Sequence, residues 1–329
     1  MPRVGHGFEA TLVLLALLFA PITAAHAQPP PPGKVYRIGF LSQGQPPKPY
    51  LDALQQGLRE HGYIEGRNLV WEFRATDGTL DQLPQLAEEL VRSKVDLILA
   101  RASSGATAAK RATTTIPIVF FAVYGPVEIG LVPNLAHPGG NLTGTAVSAS
   151  DTAGKRVQLF KELVPTLKRL AMLSHPAHPT TTVQVKGAEA VARTLGVQLD
   201  VVPVRGPADF APALKALRHT DGVLHADTPL FITHRTRLVE AVAATRLPAI
   251  YVTRAYVEAG GLMSYGPDNA DLWRRAAAYV HQILKGAKAG DLPVEQPTTF
   301  ELVINNRTAK AIGLTIPQSL VLRAQQTVD

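Results

Sequence analysis

Apolar and polar positions follow two repeating patterns along most of the chain. Short apolar runs such as VYRIGFLS (residues 35–42) and VDLILA (95–100) have the length and composition of buried β-strands. Between these runs, apolar residues recur three or four positions apart, as Leu51, Leu54 and Leu58 do, which is typical of one face of a helix. Continuous apolar strands that alternate with amphipathic helices indicate an α/β fold with parallel sheets covered on both faces.

This pattern occurs in two successive halves. Strands are predicted over residues 35–42, 68–75, 95–100, 116–123 and 142–148 in the first half. They are predicted over residues 169–174, 197–204, 221–226 and 248–253 in the second half. The remainder, with predicted strands over 261–266 and 299–305 and helices over 271–284 and 306–312, is too short for a third domain. The sequence therefore predicts two doubly wound parallel-sheet lobes in tandem.

The last third of the chain predicts a hinge between these lobes. We expect lobe 1 to comprise residues 34–148 and 254–289, and lobe 2 to comprise residues 149–253 and 290–329. The first crossing is expected at SASDTAGK (148–155), whose small and polar residues can flex. Three crossings between two similar lobes form a hinge with a cleft, and open parallel sheets bind ligands at the carboxyl ends of their strands.

A glycine pair marks the tightest predicted turn, in AHPGGNLTG (136–144). We expect a short helix just before it, a turn at Gly139 and Gly140, and then the strand that leads out of lobe 1. Adjacent glycines allow a positive φ without the steric cost of a Cβ. The turn is therefore predicted to be structural.

The first 27 residues have the layout of a secretory signal peptide. An apolar run at 11–20 is too short to span a bilayer. Ala25 and Ala27 are small residues at the two positions that a signal peptidase recognises before the cleavage site. We expect cleavage after Ala27, followed by a stiff proline-rich leader over residues 28–33. The absence of cysteine excludes disulfides, thiolate metal sites, cysteine nucleophiles and a lipid anchor on cysteine. The mature protein is expected to be free in an extracytoplasmic space.

The formal net charge is +7 over 329 residues, but the basic residues are scattered and form no run. A nucleic-acid-binding surface would cluster them, typically with a recognition helix. We therefore expect no nucleic-acid partner.

Small polar groups are concentrated at the predicted strand ends that would face the cleft. In the first half these candidate ligand-binding residues are Ser42, Gln43, Arg101, Ala102, Ser103, Ser104, Tyr124 and Gly125. In the remainder of the chain they are His175, Asp227, Thr228, Tyr251 and Tyr265.

Ser103, Ser104 and Asp227 carry the most specific chemistry among these candidates. The serines open a predicted helix, whose free N–H groups and positive end can bind a carboxylate, although the serines could simply cap that helix. Asp227 could pair with an ammonium group, or could cap the helix that begins near Pro229. Arg101 could contact a ligand or remain a solvated charge at the rim.

Evidence for catalysis or metal binding is weak. His225, Asp227 and His234 are candidate metal ligands, but their spacing matches no helical pair. His175 and His178 are a second candidate pair, but they flank a proline turn. The sequence contains no G-x-S-x-G elbow, P-loop or G-x-G-x-x-G fingerprint. We therefore expect no metal, no cofactor and no enzymatic activity.

Four separated segments resemble the extracytoplasmic solute-binding proteins of ABC transporters, in the branch whose characterised members bind aromatic amino acids. These segments are LREHGYIEGRNLVWEFRATDG (58–78), TTTIPIVF (113–120), PVEIGLVPNLAHPGGNLTG (126–144) and LPVEQPTTFELVINNRTAKAIGLTIPQSLVLRA (292–324). The resemblance covers about residues 35–322 and implies a two-lobed type I periplasmic-binding-protein fold that closes over a small solute. Two positions depart from the family pattern: Gly125 replaces an acidic residue, and His175 replaces the asparagine of an Asn-Pro pair.

The resemblance implies a periplasmic protein that binds a small organic solute, with an aromatic amino acid as the leading hypothesis. It implies an ABC permease as the membrane partner and a monomeric state. Two alternatives remain open at this point: a ligand-sensing subunit of a membrane signalling receptor, and a hydrolase or metal-dependent enzyme that uses the histidines and Asp227.

Overall fold

The structure is a computed structural model that describes Met1 and residues 33–77, 79–217 and 219–328. The predicted signal peptide, apart from Met1, and the leader up to residue 32 lie outside the described residues. Within the described part, no helix is both long and apolar enough to cross a bilayer.

Lobe 1 is built on a five-stranded parallel sheet with the strand order β2-β1-β3-β4-β5. The strands are β1 (Tyr36–Ser42), β2 (Leu69–Ala75), β3 (Leu97–Arg101), β4 (Ile118–Tyr124) and β5 (Leu142–Val147). The helices α1 (Lys48–Glu60), α2 (Leu83–Arg92) and α3 (Ala102–Ala112) connect them. The apolar strands are buried on both faces, as their continuous hydrophobic runs predict.

Lobe 2 contains the sheet β7-β6-β8 and the sheet β12-β11-β10-β9, which an isolated bridge between Val223 and Ala249 connects. The strands are β6 (Arg169–Ser174), β7 (Gln198–Pro203), β8 (Gly222–His225), β9 (Ile250–Tyr251), β10 (Met263–Pro267), β11 (Phe300–Asn305) and β12 (Gln326–Val328). Among these named strands, β11 runs antiparallel to β10, and the other pairs are parallel.

The helices of lobe 2 cover both sheets. They are α4 (Ala149–Leu163), α5 (Thr181–Thr194), α6 (Phe210–Ala216), α7 (Pro229–Thr233), α8 (Arg235–Ala243), α9 (Arg254–Glu258), α11 (Asn306–Ala311) and α12 (Gln318–Arg323). The sequence predicts that a helix begins near Pro229, and the structure divides this stretch into α7 and α8 at His234.

The structure corrects the predicted extent of lobe 1. Residues 254–267 were expected in lobe 1, but β10 pairs with β9, and Tyr256 and Met263 lie in the core of lobe 2. The next helix, α10 (Asn269–Leu284), does pack on lobe 1, where Trp273 contacts Phe121 with ring centroids 4.8 Å apart. The pattern identifies β10 as a strand, but it carries no information on which sheet the strand joins.

The crossings are also shifted relative to their predicted positions. Ser148 is the N-cap of α4, because its Oγ accepts from the Asp151 N–H at 3.4 Å, so the predicted flexible segment 148–155 is almost entirely helical. The second crossing lies between β10 and α10. The third lies after Glu295, which still pairs with Thr145 of β5, rather than near Gly290.

The predicted glycine turn is confirmed, with φ of +67° at Gly139 and +58° at Gly140. The N–H of Gly139 donates to the carbonyl of Gly290 at 3.1 Å, and a Cβ on Gly290 would lie 2.5 Å from the carbonyl oxygen of Gly140. The turn therefore docks the returning segment of the hinge against lobe 1. The short helix expected before the turn is absent, because the described residues 125–140 form turns and bends.

Candidate functional site

A cavity lies between the two lobes at the carboxyl ends of their strands. Lobe 1 contributes Tyr50, Arg101, Ala102, Ser103, Ala122, Tyr124, Asn269 and Trp273. Lobe 2 contributes His178, Asp227, Thr228, Pro229, Ile232 and Thr253.

The lobe 1 wall contains two residues with unusual backbone conformations. Ala102, where β3 turns directly into α3, has φ +59°, and Ala122, at a register shift in β4, has φ +51°. Non-glycine residues seldom adopt this region, and such strain is concentrated at functional sites. The turn at Ala102 brings the first N–H groups of α3, which have no intrahelical acceptor, to the cavity wall.

Arg101 is buried at the end of β3, and hydrogen bonds to residues at the end of β1 fix its side chain. Its Nη1 donates to the Oγ of Ser42 at 3.1 Å and to the carbonyl of Gln43 at 3.4 Å. Its guanidinium carbon lies 5.7 Å from the ring centroid of Trp273. Burial lowers the pKa of Arg101 to about 10, against the opposing effect of Asp227, so the side chain is charged at neutral pH.

Ser103 and Ser104 do not cap α3, because the helix begins at Ala102 and Arg101 occupies the N-cap position. The Oγ of Ser103 accepts from the N–H of Tyr124 at 3.1 Å and lies 3.2 Å from the carbonyl of the same residue. The Oγ of Ser104 donates to Oε1 of Gln43 at 2.9 Å. Both hydroxyls therefore fasten α3 to neighbouring strand ends.

Asp227 faces the cavity from the end of β8. Its backbone is fixed by Gln184, whose Oε1 accepts from the Asp227 N–H at 2.6 Å and whose Nε2 donates to the Asp227 carbonyl at 3.0 Å. Its carboxylate does not cap α7, because Thr228 occupies the N-cap position of that helix. Among the described residues, its Oδ2 atom has no hydrogen-bond donor.

Arg156, in α4, is the counter-ion of Asp227 that sequence reasoning missed. Its Nη2 lies 3.9 Å from Oδ2 of Asp227, and its Nε donates to the carbonyl of Tyr265 at 3.0 Å. Burial raises the pKa of the Asp227 carboxyl, and the positive charge of Arg156 opposes that rise. The sequence did contain a signal that Arg156 is buried, because this residue lies beside Val157 and Phe160 on the buried face of its helix.

Six of the predicted site residues line the cavity: Arg101, Ala102, Ser103, Tyr124, Asp227 and Thr228. Ser42, Gln43 and Ser104 lie behind them and position Arg101 and α3. Tyr50, His178 and Trp273 were not predicted at the site, because none of them ends a strand. Tyr50 lies in the first turn of α1, His178 in the loop between β6 and α5, and Trp273 in α10.

Two predicted tyrosines lie elsewhere. Tyr251 is in the core of lobe 2, stacked on Tyr256 with centroids 5.1 Å apart. Tyr265 stacks on Phe300 at 5.6 Å, beside the hinge. Successive side chains on a strand point to opposite faces, so a strand end alone does not determine which residue reaches the cleft.

The remaining two predicted site residues, Gly125 and His175, also lie outside the cavity lining, and they are the positions that depart from the family pattern. Gly125, with φ +58°, forms the turn after β4, and its N–H donates to the carbonyl of Val147 at 2.9 Å. His175 lies in a separate recess that Asp77 and Arg205 also line. Within the described part of the chain, no group of three or more His, Asp and Glu residues is arranged to hold a metal ion.

Comparison with known proteins identifies the family. A model of the ABC transporter substrate binding protein family matches residues 48–328. A tyrosine-binding protein of Clostridioides difficile is 30% identical over 271 residues, which cover 81% of this chain and 78% of the relative.

Solved structures of similar chains have the same fold. A conserved domain protein from Vibrio cholerae is 29% identical with a TM-score of 0.84, covering 89% of this chain and 100% of its own. An ABC domain from Streptococcus pneumoniae, in complex with L-Trp, is 27% identical with a TM-score of 0.84, covering 90% of this chain and 100% of its own. The chain has the type I periplasmic-binding-protein fold and belongs to the ABC transporter substrate-binding proteins.

Proposed function

We propose that this protein binds an aromatic amino acid as a zwitterion in the cavity between its lobes and delivers it to an ABC permease. The observation that carries this proposal is the arrangement of charge across the cleft. Lobe 1 presents Arg101 and the first turn of α3, whereas lobe 2 presents the Asp227 carboxylate. A solute with a carboxylate and an ammonium group would complement both walls at once.

The remaining walls suit an aromatic side chain. Tyr50, Tyr124 and Trp273 bring three rings to the cavity, and Pro229 and Ile232 add aliphatic surface. Ligand sites of this kind combine apolar walls with a few fixed polar groups that orient the ligand. The similarity to a tyrosine-binding protein and to a chain in complex with L-Trp supports the same solute class.

Binding would proceed by closure of the lobes over the solute. Tyr50 of lobe 1 and Thr253 of lobe 2 line the same cavity, and burial there raises the pKa of Tyr50 to about 12. A Cβ on Gly44 would lie only 2.4 Å from Oγ1 of Thr233 in the opposite lobe. A solute that contacts both lobes binds the closed state best, so it shifts the population toward that state.

In the same proposal the protein is exported and monomeric, and its partner is a permease in the inner membrane; the match to the ABC transporter substrate binding protein family supports the permease as partner. In this proposal the periplasmic location follows from the predicted signal peptide and its cleavage after Ala27. No protein neighbour is needed to complete the cavity, because both walls come from one chain.

Isothermal titration calorimetry on the chain from residue 28 onward tests the proposal. L-tyrosine, L-tryptophan and L-phenylalanine are titrated beside tyramine, which lacks the carboxylate, and 3-(4-hydroxyphenyl)propionate, which lacks the ammonium group. We expect at least one amino acid to bind and both truncated analogues to bind at least about 30-fold more weakly than L-tyrosine. Equal affinity for the truncated analogues would contradict the zwitterion model.

A further inference from the structure

His178 is a cavity residue whose chemistry the charged head group of an amino acid does not use. It lies in the loop between β6 and α5, is 4% exposed and lines the cavity. Among the described residues, its Nε2 has no hydrogen-bond partner. Thr228 lines the same cavity and is 2% exposed, and its Oγ1 also has no hydrogen-bond partner among the described residues. Buried polar atoms without a partner are rare and require an explanation.

A hydrogen-bond network determines which nitrogen of His178 carries the proton. The backbone of Asp227 fixes the orientation of the Gln184 side-chain amide. The Asp227 carbonyl accepts a hydrogen bond from Nε2 of Gln184, and the Asp227 N–H donates one to Oε1. The same Nε2 donates to Oγ1 of Thr180 at 3.0 Å. The backbone N–H of Thr180 donates to Nδ1 of His178 at 3.5 Å, and the Thr180 hydroxyl lies 3.0 Å from the same nitrogen. Nδ1 is therefore an acceptor, and Nε2 carries the hydrogen.

The imidazole is also neutral at physiological pH. Burial lowers the pKa of His178 to about 3, with a smaller contribution from His175. The group thus presents one uncharged N–H donor to the cavity. A neutral donor does not compete for the solute carboxylate, for which Arg101 and the start of α3 provide a full positive charge and a helix N-terminus.

We propose that His178 and Thr228 form a subsite for a hydroxyl group on the solute side chain, so that the protein selects tyrosine over phenylalanine. This inference rests on the proposed function. The phenol oxygen would accept from Nε2–H of His178, and the phenol proton would be donated to Oγ1 of Thr228. A site built to hydrogen-bond a hydroxyl rejects the analogue that lacks it, because its buried polar groups are then left unpaired.

The test is the ratio of the dissociation constants for L-phenylalanine and L-tyrosine, measured by calorimetry. In the parent protein we expect phenylalanine to bind at least about tenfold more weakly. His178→Leu should bring this ratio close to one, mainly by weakening tyrosine binding, and Thr228→Val should reduce it in part. His178→Gln, which retains an amide donor, should restore part of the preference.

His137→Leu is the control for the loss of an imidazole, because His137 is exposed and lies outside the cavity. It should leave the ratio unchanged, and thermal melting establishes that each variant is folded. A parent ratio near one, or a folded His178→Leu or Thr228→Val variant that keeps the parent ratio, overturns the subsite while the proposed function stands. If no aromatic amino acid binds the parent, the proposed function fails and the subsite fails with it.

Discussion

At the residue scale, the proposed function depends on three charged side chains at the cavity. Arg101 and Asp227 lie on opposite lobes, and Arg156 approaches the Asp227 carboxylate at 3.9 Å. Arg101 is supported by Ser42 and Gln43, whereas Oδ2 of Asp227 has no hydrogen-bond donor among the described residues. The carboxylate is therefore charge-compensated but still able to accept a hydrogen bond from an ammonium group.

The first prediction distinguishes side chains that would contact the solute from side chains that only stabilise the cavity wall. Ser104→Ala removes the 2.9 Å hydrogen bond to Gln43 but no atom that lines the cavity. It should cost about 1 kcal/mol of unfolding free energy and change solute affinity less than about threefold, because the backbone donors of α3 remain. Denaturant unfolding and calorimetry provide the two values, and a loss of affinity beyond tenfold would place the hydroxyl on the solute.

The second prediction concerns pH. Burial raises the pKa of Asp227, and only the ionised form attracts an ammonium group. Affinity should therefore be fully present above this raised pKa and should fall as the pH drops through it, at a higher pH than an ordinary aspartate would require. In the absence of solute the sign is opposite, because a carboxyl with a raised pKa stabilises the fold below its unfolded pKa, and this contribution is lost as the pH rises.

Thermal melts between pH 4 and pH 7, with and without L-tyrosine, measure both effects. The solute-induced rise in melting temperature should shrink on acidification. A rise that is constant across this range would mean that Asp227 does not titrate against the solute.

Much of the site could be predicted from the sequence. Arg101, Ser103 and Asp227 end predicted strands, and the carboxyl ends of parallel strands meet at one edge of a sheet. Arg156, His178 and Trp273 could not be found this way, because a helix of lobe 2, a loop and the hinge helix α10 place them there. Their positions depend on how the lobes close, which local periodicity does not encode.

At the element scale, strands were predicted more securely than their boundaries and partners. The apolar runs of β1 and β6 required little or no revision, because burial on both faces leaves a clear pattern. By contrast, the small residues Ala149, Ala153 and Gly154 concealed the first turns of α4. The tail elements α12 and β12 were not predicted, since a helix of six residues and a strand of three show too little periodicity.

The third prediction tests the glycine turn. Gly140 has φ +58°, but a Cβ there would meet no atom within 4 Å, so the cost of Gly140→Val is conformational alone. It should lower the unfolding free energy by about 1–2 kcal/mol and leave solute affinity unchanged. Gly290→Ala should be worse, because its Cβ would lie 2.5 Å from the carbonyl oxygen of Gly140. In denaturant unfolding, the midpoint should be highest for the parent, lower for Gly140→Val and lowest for Gly290→Ala. A lower midpoint for Gly140→Val than for Gly290→Ala would contradict this account of the turn.

At the scale of the whole molecule, the hinge determines how the site forms. The sequence predicted two lobes and three crossings, but β10 belongs to lobe 2, and α10 carries Trp273 to the cavity as part of lobe 1. Because α10 follows a crossing directly, its first residue, Asn269, and Trp273 both line the cavity. In the proposed function, the hinge helix would therefore connect lobe movement to the cavity walls.

The fourth prediction is that solute binding compacts the molecule. Tyr50 and Thr253 line the cavity from opposite lobes, and Gly44 approaches Thr233 across the cleft, so in the proposed mechanism the lobes separate here for solute to enter. Small-angle X-ray scattering should show a smaller radius of gyration when L-tyrosine is added at 100 times its dissociation constant, where binding adds about 2.7 kcal/mol of stability. An unchanged radius with bound solute would argue against lobe closure.

The most direct test of the central claim is calorimetric titration of L-tyrosine into the parent protein and into Asp227→Asn. The substitution preserves the size of the side chain but removes the charge that lobe 2 contributes to the closed cavity. Loss of an ionic partner in a desolvated site costs about 2–5 kcal/mol, so the variant should bind at least about 30-fold more weakly while its melting profile shows a folded protein. If folded Asp227→Asn binds L-tyrosine as tightly as the parent does, the two lobes do not bind an amino acid zwitterion between Arg101 and Asp227.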